Sequence, residues 1–312
     1  MIIVTGGAGF IGSHIVKSLN DLGHTNIIVV DNLSKPEKHL NLNRLKIADF
    51  IDKEDFLQEL NHFKQVETIF HEGACSDTME SNGRYMMKNN FEYSKELLSF
   101  ALTNKINFLY ASSASVYGNG EKGFTEDLSC EYPLNIYAYS KFLFDQHVRD
   151  ILKSHLSSQV LGLRYFNVYG PQENHKGRMA SVAFHLMTAA AKGESLKLFE
   201  GSKGFRRDFI YVDDVVAVNQ FFFENKKSGI FNCGSGHAQS FQDIANTIKT
   251  LIPETQIETV PFPAALVGKY QTFTEANINA LREAGYTKPF QTVEEGVKRY
   301  FDVFQKTGGY VS

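Results

Sequence analysis

Tyr137 and Lys141 stand four positions apart in "YAYSKFLFD" (Tyr137–Asp145), at the start of an apolar-periodic stretch. Four positions is one helical turn, so phenol and ammonium share a face. An ordinary tyrosine titrates near pKa ~10, and a neighbouring positive charge favours its phenolate. A phenolate near neutral pH is a usable base. Oxidising an alcohol needs such a base for the hydroxyl proton, beside an acceptor for the hydride. A further polar group must orient the hydroxyl, and "YASSAS" offers Ser112, Ser113 and Ser115, with Ser113 24 residues before Tyr137. Taken singly, each of these fits a blander role: a surface lysine beside a half-buried tyrosine, or a serine satisfied in its own turn.

A hydride acceptor has a place near the N-terminus. "TGGAGFIG" (Thr5–Gly12) follows the apolar run "IIVT" directly and opens a helical pattern. It fits GxGxxG through Gly7, Gly9 and Gly12, and GxxGxxG through Gly6, Gly9 and Gly12. Glycines there permit a tight turn, close backbone approach to a pyrophosphate and close helix–strand packing. The helix start adds free N–H donors for the anion. Asp31 ends the next apolar run about twenty positions on, where a carboxylate suits the ribose hydroxyls of NAD and repels the 2′-phosphate of NADP. Lys35, Lys38 and Lys53 follow and could neutralise that phosphate, so spacing leaves both dinucleotides open.

The elements that must position these groups alternate. "NIIVVD", "ETIFHEG", "NFLYASSA" and "VLGLRYFN" read as buried strands after "IIVT", separated by helical "IVKSLNDLG", "KEDFLQELNHF", "NNFEYSKELLSFAL" and "YSKFLFDQHVRDIL". Strand–helix alternation predicts an α/β fold, a doubly wound parallel (Rossmann) sheet covered on both faces. After Asn167 the rhythm shortens, which predicts a second, smaller mixed α/β substrate domain. The expected division is residues 1–167 for the dinucleotide and mainly 168–312 for the substrate. "FIYVDDVV" and "GIFNCGSG", within roughly 208–234, are expected to return to the first sheet.

Composition narrows the classes. The 312 residues are 43% hydrophobic and 21% charged, ordinary for a globular protein. A net charge of −3 without a Lys/Arg block argues against a nucleic-acid or anionic-membrane partner. Cys75, Cys130 and Cys233 are scattered and make no CxxC, and the histidines show no HxxxH or HxH, so neither a disulfide framework nor a metal is expected. "MIIVTGG" has no basic segment and no run is long enough to span a bilayer, so a cytoplasmic protein is expected.

Glycine turn, strand-end serine and YxxxK together resemble the short-chain dehydrogenase/reductase superfamily. "RYFNVYGP" and "RRDFIYVDD" are similar to its extended, nucleotide-sugar-modifying branch. "HEGACS", "YMMKNN", "YAYSKFLFD", "HKGRMASVAFH" and "LFEGS" resemble the heptose 6-epimerases of that branch, from Met1 to about Phe301. The resemblance implies transient oxidation and re-reduction at C6″ of an ADP-linked heptose with bound NADP, in a homo-oligomer of five subunits. It implies a cofactor site of Gly6, Gly9, Phe10, Ile11, Gly12, Asp31, Asn32, Lys38, Lys53, Glu72, Gly73, Ala74, Cys75, Ser76, Asn89, Lys141 and Val168. Tyr137 and Lys176 would be the two proton acceptors, with Ser113 and Lys141 beside Tyr137. Asn167, Arg178, His185, Phe199, Glu200, Gly201, Ser202, Arg207 and Tyr270 would hold the substrate, Arg207 suiting a diphosphate. Arg178 departs from the pattern, which has a small residue there. A related 4-epimerase, a net reductase or a catalytically silent dinucleotide sensor are the alternatives. "SSASVYG" lacks the carboxylate pair that a dehydratase needs.

Overall fold

The computed structural model of the protein describes residues 1–263 and 271–311. Seven strands form one parallel sheet: β1 (Ile2–Thr5), β2 (Ile27–Asp31), β3 (Asp49–Asp52), β4 (Thr68–His71), β5 (Asn107–Ser113), β6 (Val160–Tyr165) and, later in the chain, β10 (Gly229–Cys233). Their order is β10-β6-β5-β4-β1-β2-β3, and every neighbouring pair is parallel. Helices α1 (Phe10–Asp21), α2 (Lys53–Glu59), α3 (Gly83–Met87), α4 (Tyr93–Thr103) and α5 (Ile136–Leu152) belong to this half. Ile15, Val16 and Leu19 of α1 meet one sheet face. Leu97 and Leu98 of α4 and Phe144 and Val148 of α5 meet the other. Both faces of the inner strands β1, β2, β4 and β6 are therefore buried, which is why they read as unbroken apolar runs.

The strand order reverses between β1 and β4, and ligands of such sheets bind where the chain leaves the carboxyl ends of strands at that point. The glycine turn follows β1 there, and residues 72–77 follow β4.

Two readings of strands change. "VLGLRYFN" is not one strand: β6 stops at Tyr165, and β7 (Asn167–Tyr169) belongs to another sheet. Phe166 turns the chain, its N–H donating to the Cys233 carbonyl. After β8 (Leu196–Phe199), "FIYVDDVV" splits likewise. Residues 206–211 form β9 (Arg206–Tyr211) in a small mixed sheet, not in the large one, flanked by β7 and by β11 (Ala238–Ser240). The remainder opens α7 (Val212–Asn225), which packs on α1 through Val215, Val218 and Phe222. β8 pairs with β12 (Ile257–Val260). Helices α6 (Val182–Ala191), α8 (Phe241–Leu251), α9 (Asn279–Glu283) and α10 (Val293–Thr307) complete the chain, and a second core joins Leu186, Leu198, Ile248 and Tyr300. No described helix is long and apolar enough to cross a membrane.

Candidate active site

A cleft of about 630 Å³ opens at the switch point. Its floor is backbone. A Cβ on Gly12 would sit 2.3 Å from the Gly6 carbonyl oxygen, and one on Gly6, at φ +68°, 2.6 Å from the Gly73 nitrogen. Only glycines let the turn, the start of α1 and the chain after β4 close together. Gly9, Phe10 and Ile11 then bring the helix start to the cleft wall.

At the β2 end Asp31 is held by three donors. The N–H groups of Ala8 and Asn32 reach it at 3.0 and 2.7 Å, and the Lys38 ammonium at 2.7 Å. Lys53 donates to Asn89 Oδ1 at 2.6 Å. Asn89 reaches the cleft because residues Lys88–Glu92 form a π-helical stretch between α3 and α4. Such bulges re-aim side chains, often at functional sites. The same stretch turns Asn90 inward, where it accepts from Cys75 N–H at 2.8 Å and donates to the Cys75 carbonyl at 2.9 Å and Ser140 Oγ at 3.1 Å. Sequence reading missed Asn90, and the doubled "NN" was its only trace.

Helix α5 starts at Asn135, whose side chain accepts the Ala138 N–H at 2.8 Å. This cap puts Tyr137 in the first turn and Lys141 one turn later, both on the cleft. Further along, Asp145 anchors the helix to the sheet. It accepts from Tyr110 and Ser112 hydroxyls and from Arg164 Nε, each at 2.9 Å. Arg164, fully buried, also reaches Glu131 at 2.6 Å and the Tyr117 hydroxyl at 2.8 Å. Ser112 is thus committed to Asp145, and Ser115 Oγ lies 2.9 Å from Ser113 Oγ. Ser113 is the serine hydrogen-bonded to Tyr137.

The electrostatics differ from expectation. Burial raises the Tyr137 phenol; the Ser113 hydrogen bond opposes this and Cys75 adds to it. Lys141 gives its ammonium to the Ala111 carbonyl at 2.7 Å. Burial instead lowers Lys141 to about 8, against Glu72 and Asp145, which favour its charge. Glu72, which accepts from the Tyr165 hydroxyl at 3.0 Å, is raised by burial to about 7. Two proton-holding groups near neutral pH therefore line the same cleft as the phenol.

Lys176 lines the cleft from a 3₁₀ turn (Asn174–Met179), its ammonium 5.0 Å from the centre of the Phe10 ring. Burial lowers it, and Glu173 opposes. Arg178 spans the cleft mouth, donating to Asp77 at 2.9 Å, and Lys35 donates to the His175 carbonyl at 3.0 Å.

Thus the structure brings to one cleft Gly6, Gly9 to Gly12, Asp31, Asn32, Lys38, Lys53, Glu72 to Ser76, Asn89, Ser113, Tyr137, Lys141, Val168, Lys176 and Arg178. It does not bring there Asn167, His185, Phe199, Glu200, Gly201, Ser202 or Arg207. Asn167 continues the wall from Phe166 and Val168 but is bonded to Thr274, at 3.3 Å. His185 is exposed on α6, residues 199–202 leave β8 at its end, and Arg207 lies on β9 with its guanidinium 5.8 Å from the Phe241 ring centre. Tyr270 falls outside the described residues.

A seven-stranded parallel sheet with a glycine-floored cleft at its reversal and a Ser–Tyr–Lys set beside it defines a dinucleotide-dependent enzyme class. Residues 2–234 match the NAD dependent epimerase/dehydratase family, and the chain belongs to it. Over the full length of both chains it is 61% identical to the ADP-L-glycero-D-manno-heptose-6-epimerase of Brachyspira hyodysenteriae. The crystal structure of the Helicobacter pylori ADP-L-glycero-D-manno-heptose-6-epimerase is similar at 30% identity and a TM-score of 0.84, covering 98% of this chain and 96% of that one. Thermotoga maritima UDP-glucose 4-epimerase with UDP-glucose is similar at 29% identity and a TM-score of 0.83, covering 98% and 99%.

Proposed function

We propose that this chain interconverts ADP-D-glycero-D-manno-heptose and ADP-L-glycero-D-manno-heptose by inverting C6″ with a retained NADP. The observation that carries this is full-length 61% identity to a heptose epimerase in a chain whose cleft gathers Ser113, Tyr137, Lys141 and Lys176. The glycine floor and the start of α1 fit a pyrophosphate, and the Asp31 end of the cleft fits an adenosine ribose. Asp31 is already paired with Lys38, and Lys35 and Lys53 stand nearby, which supports a 2′-phosphate there. Bound in this cleft, the nicotinamide supplies the acceptor and later the donor of a hydride.

C6″ of a heptose carries a secondary alcohol, so the transient species is a ketone. Tyr137, oriented with the alcohol by Ser113, takes the hydroxyl proton in one direction once its own proton has passed to Lys141 or Glu72, which exchange protons with the surroundings near neutral pH. Inversion requires the ketone to present its other face. The two epimers then hold their hydroxyls differently, and Lys176, from another element of the wall, serves the second orientation. Residues 1–167 with β10 carry the dinucleotide, and residues after 168 mainly carry the nucleotide sugar. A nucleotide-sugar substrate suits the cytoplasm. Exposed Leu128, Tyr132, Leu134 and Tyr139 support self-association, five subunits being the expected number in light scattering.

The test is proton NMR on purified protein with ADP-D-glycero-D-manno-heptose and no added nicotinamide. Appearance of the L-glycero epimer is expected. No conversion after adding NADP and then NAD, with turnover of UDP-glucose instead, would move the reading to a 4-epimerase.

A further inference from the structure

Glu173 is a buried carboxylate that none of the roles above uses. It sits on the shoulder of the turn that carries Lys176, three residues earlier, with Oε2 3.9 Å from the Lys176 ammonium. Its other partners fix it in place: the Ser181 N–H and the Ser181 hydroxyl each donate to it at 2.6 Å. Ser181 in turn caps α6 by accepting the Phe184 N–H at 3.2 Å. One carboxylate therefore closes the loop 173–181 on itself and leaves an oxygen facing the ammonium. The other side of Lys176 is the Phe10 ring, which gives no proton acceptor.

Among the described residues, Glu173 is the anion that acts on Lys176. Within its own turn His175 is held neutral at ordinary pH, lowered to about 4 by burial and by Lys38, Lys176 and Lys35. Arg178 is paired with Asp77 from the chain after β4. Lys35 and Lys38 approach from the β2 side, and Tyr300 of α10 faces Glu173. Burial favours the neutral form of Lys176; Glu173 is the counterweight.

We propose that Glu173 is a positioning residue that holds the Lys176 ammonium in the cleft and sets the pH at which it gives up its proton. The role in turnover rests on the epimerase reading above. A base and acid that serves both directions must be present in both protonation states at the working pH. Burial beside a ring favours the neutral amine, and the fixed carboxylate 3.9 Å away favours the ammonium.

The test is Glu173→Gln, which keeps size and one acceptor for the Ser181 N–H, its amide nitrogen donating to the Ser181 hydroxyl, but removes the charge. Lysines are acylated competitively from about pH 6 to about pH 11 and read by peptide mass spectrometry. The reactivity midpoint of Lys176 is expected to fall by about one pH unit or more, with Lys35 unmoved. The limb of the pH–rate profile lost in a Lys176→Met protein should fall by the same amount. Glu173→Asp, which keeps the charge but withdraws it by one methylene, should lie between, and carries the test if the Gln variant does not fold. An unmoved Lys176 midpoint in a folded variant overturns the proposal, even if melting temperature drops. A moved midpoint with an unmoved rate limb overturns the positioning role. Labelling needs no substrate, so failure of the wild type to act on ADP-heptose would count against the function and leave this result readable.

Discussion

Tyr137 and Lys176 are two cleft groups of opposite construction. Tyr137 rides a 17-residue helix pinned to the sheet through Asp145, Arg164 and Glu131, three buried charges among three elements. Lys176 rides a six-residue 3₁₀ turn whose Gly177 stands at φ +56° and ψ −128°, with open space where its Cβ would point. That backbone region belongs to glycine alone. The first group is placed by regular structure and a saturated polar network, the second by one carboxylate and one special residue. A proton acceptor that must meet a fixed cofactor needs the rigid kind of support. One that must meet a substrate in two poses can stand on a turn.

The comparison can be broken at either end. The largest effect is expected from Tyr137→Phe: a loss of ~10²–10⁴-fold in epimerisation by NMR, with the nucleotide still retained in the purified protein. Retained activity would remove the phenol from the reaction. Next is Asp145→Asn, which leaves Arg164 short of a buried counter-charge. Unfolding in urea should show about 3–5 kcal/mol of lost stability. A loss near zero would mean that α5 is held by its apolar face alone. Lys176→Met should cost roughly 10²-fold in epimerisation. Equal turnover would end the two-group scheme.

Glu72 sharpens the contrast through pH. Its folded pKa of about 7 lies above the ordinary 4.5, so burial favours its neutral form. The stability it contributes is full below about pH 4.5 and is lost as pH rises through about 7. Glu72→Gln should therefore gain on the parent across that window and run parallel above it. Lys141, lowered to about 8, acts with the opposite sign and only above that pH. Buried histidines slope equally in both proteins and cancel in the difference. The smallest effect is expected from Arg178→Ser. That ion pair is exposed, Arg178 at 70%, and its loss should stay within ~1 kcal/mol in the same unfolding assay. A larger loss would show that the cleft mouth is a structural clasp.

Local chemistry was legible in the sequence. The strand–glycine–helix unit, Asp31, and the one-turn spacing of Tyr137 and Lys141 all depend on neighbours within a few residues, and local periodicity reports such neighbours. What was not legible depends on distant partners. Asp145 meets Arg164 and Tyr110, Glu72 meets Tyr165, and Asp77 meets Arg178, each across a crossover. The burial that raises the Tyr137 phenol was not legible either, since a one-turn spacing to Lys141 reports nothing of the cleft wall around the ring. β3 was missed because its residues are half-exposed at the sheet edge and carry two aspartates. "VLGLRYFN" looked continuous because a change of sheet at Phe166 leaves no mark on hydrophobicity.

The late arrival of β10 bears on how the chain is made. β6 is buried along all six residues, and β10 is its partner on the outer side. A ribosome delivers some sixty residues between the two, including β7, β8, β9 and the whole of α7. During that interval the growing chain carries an apolar strand with one unpaired edge, the template on which nascent chains stick to one another. Truncations ending before residue 229 should accumulate in inclusion bodies, while those ending after residue 233 have that edge closed.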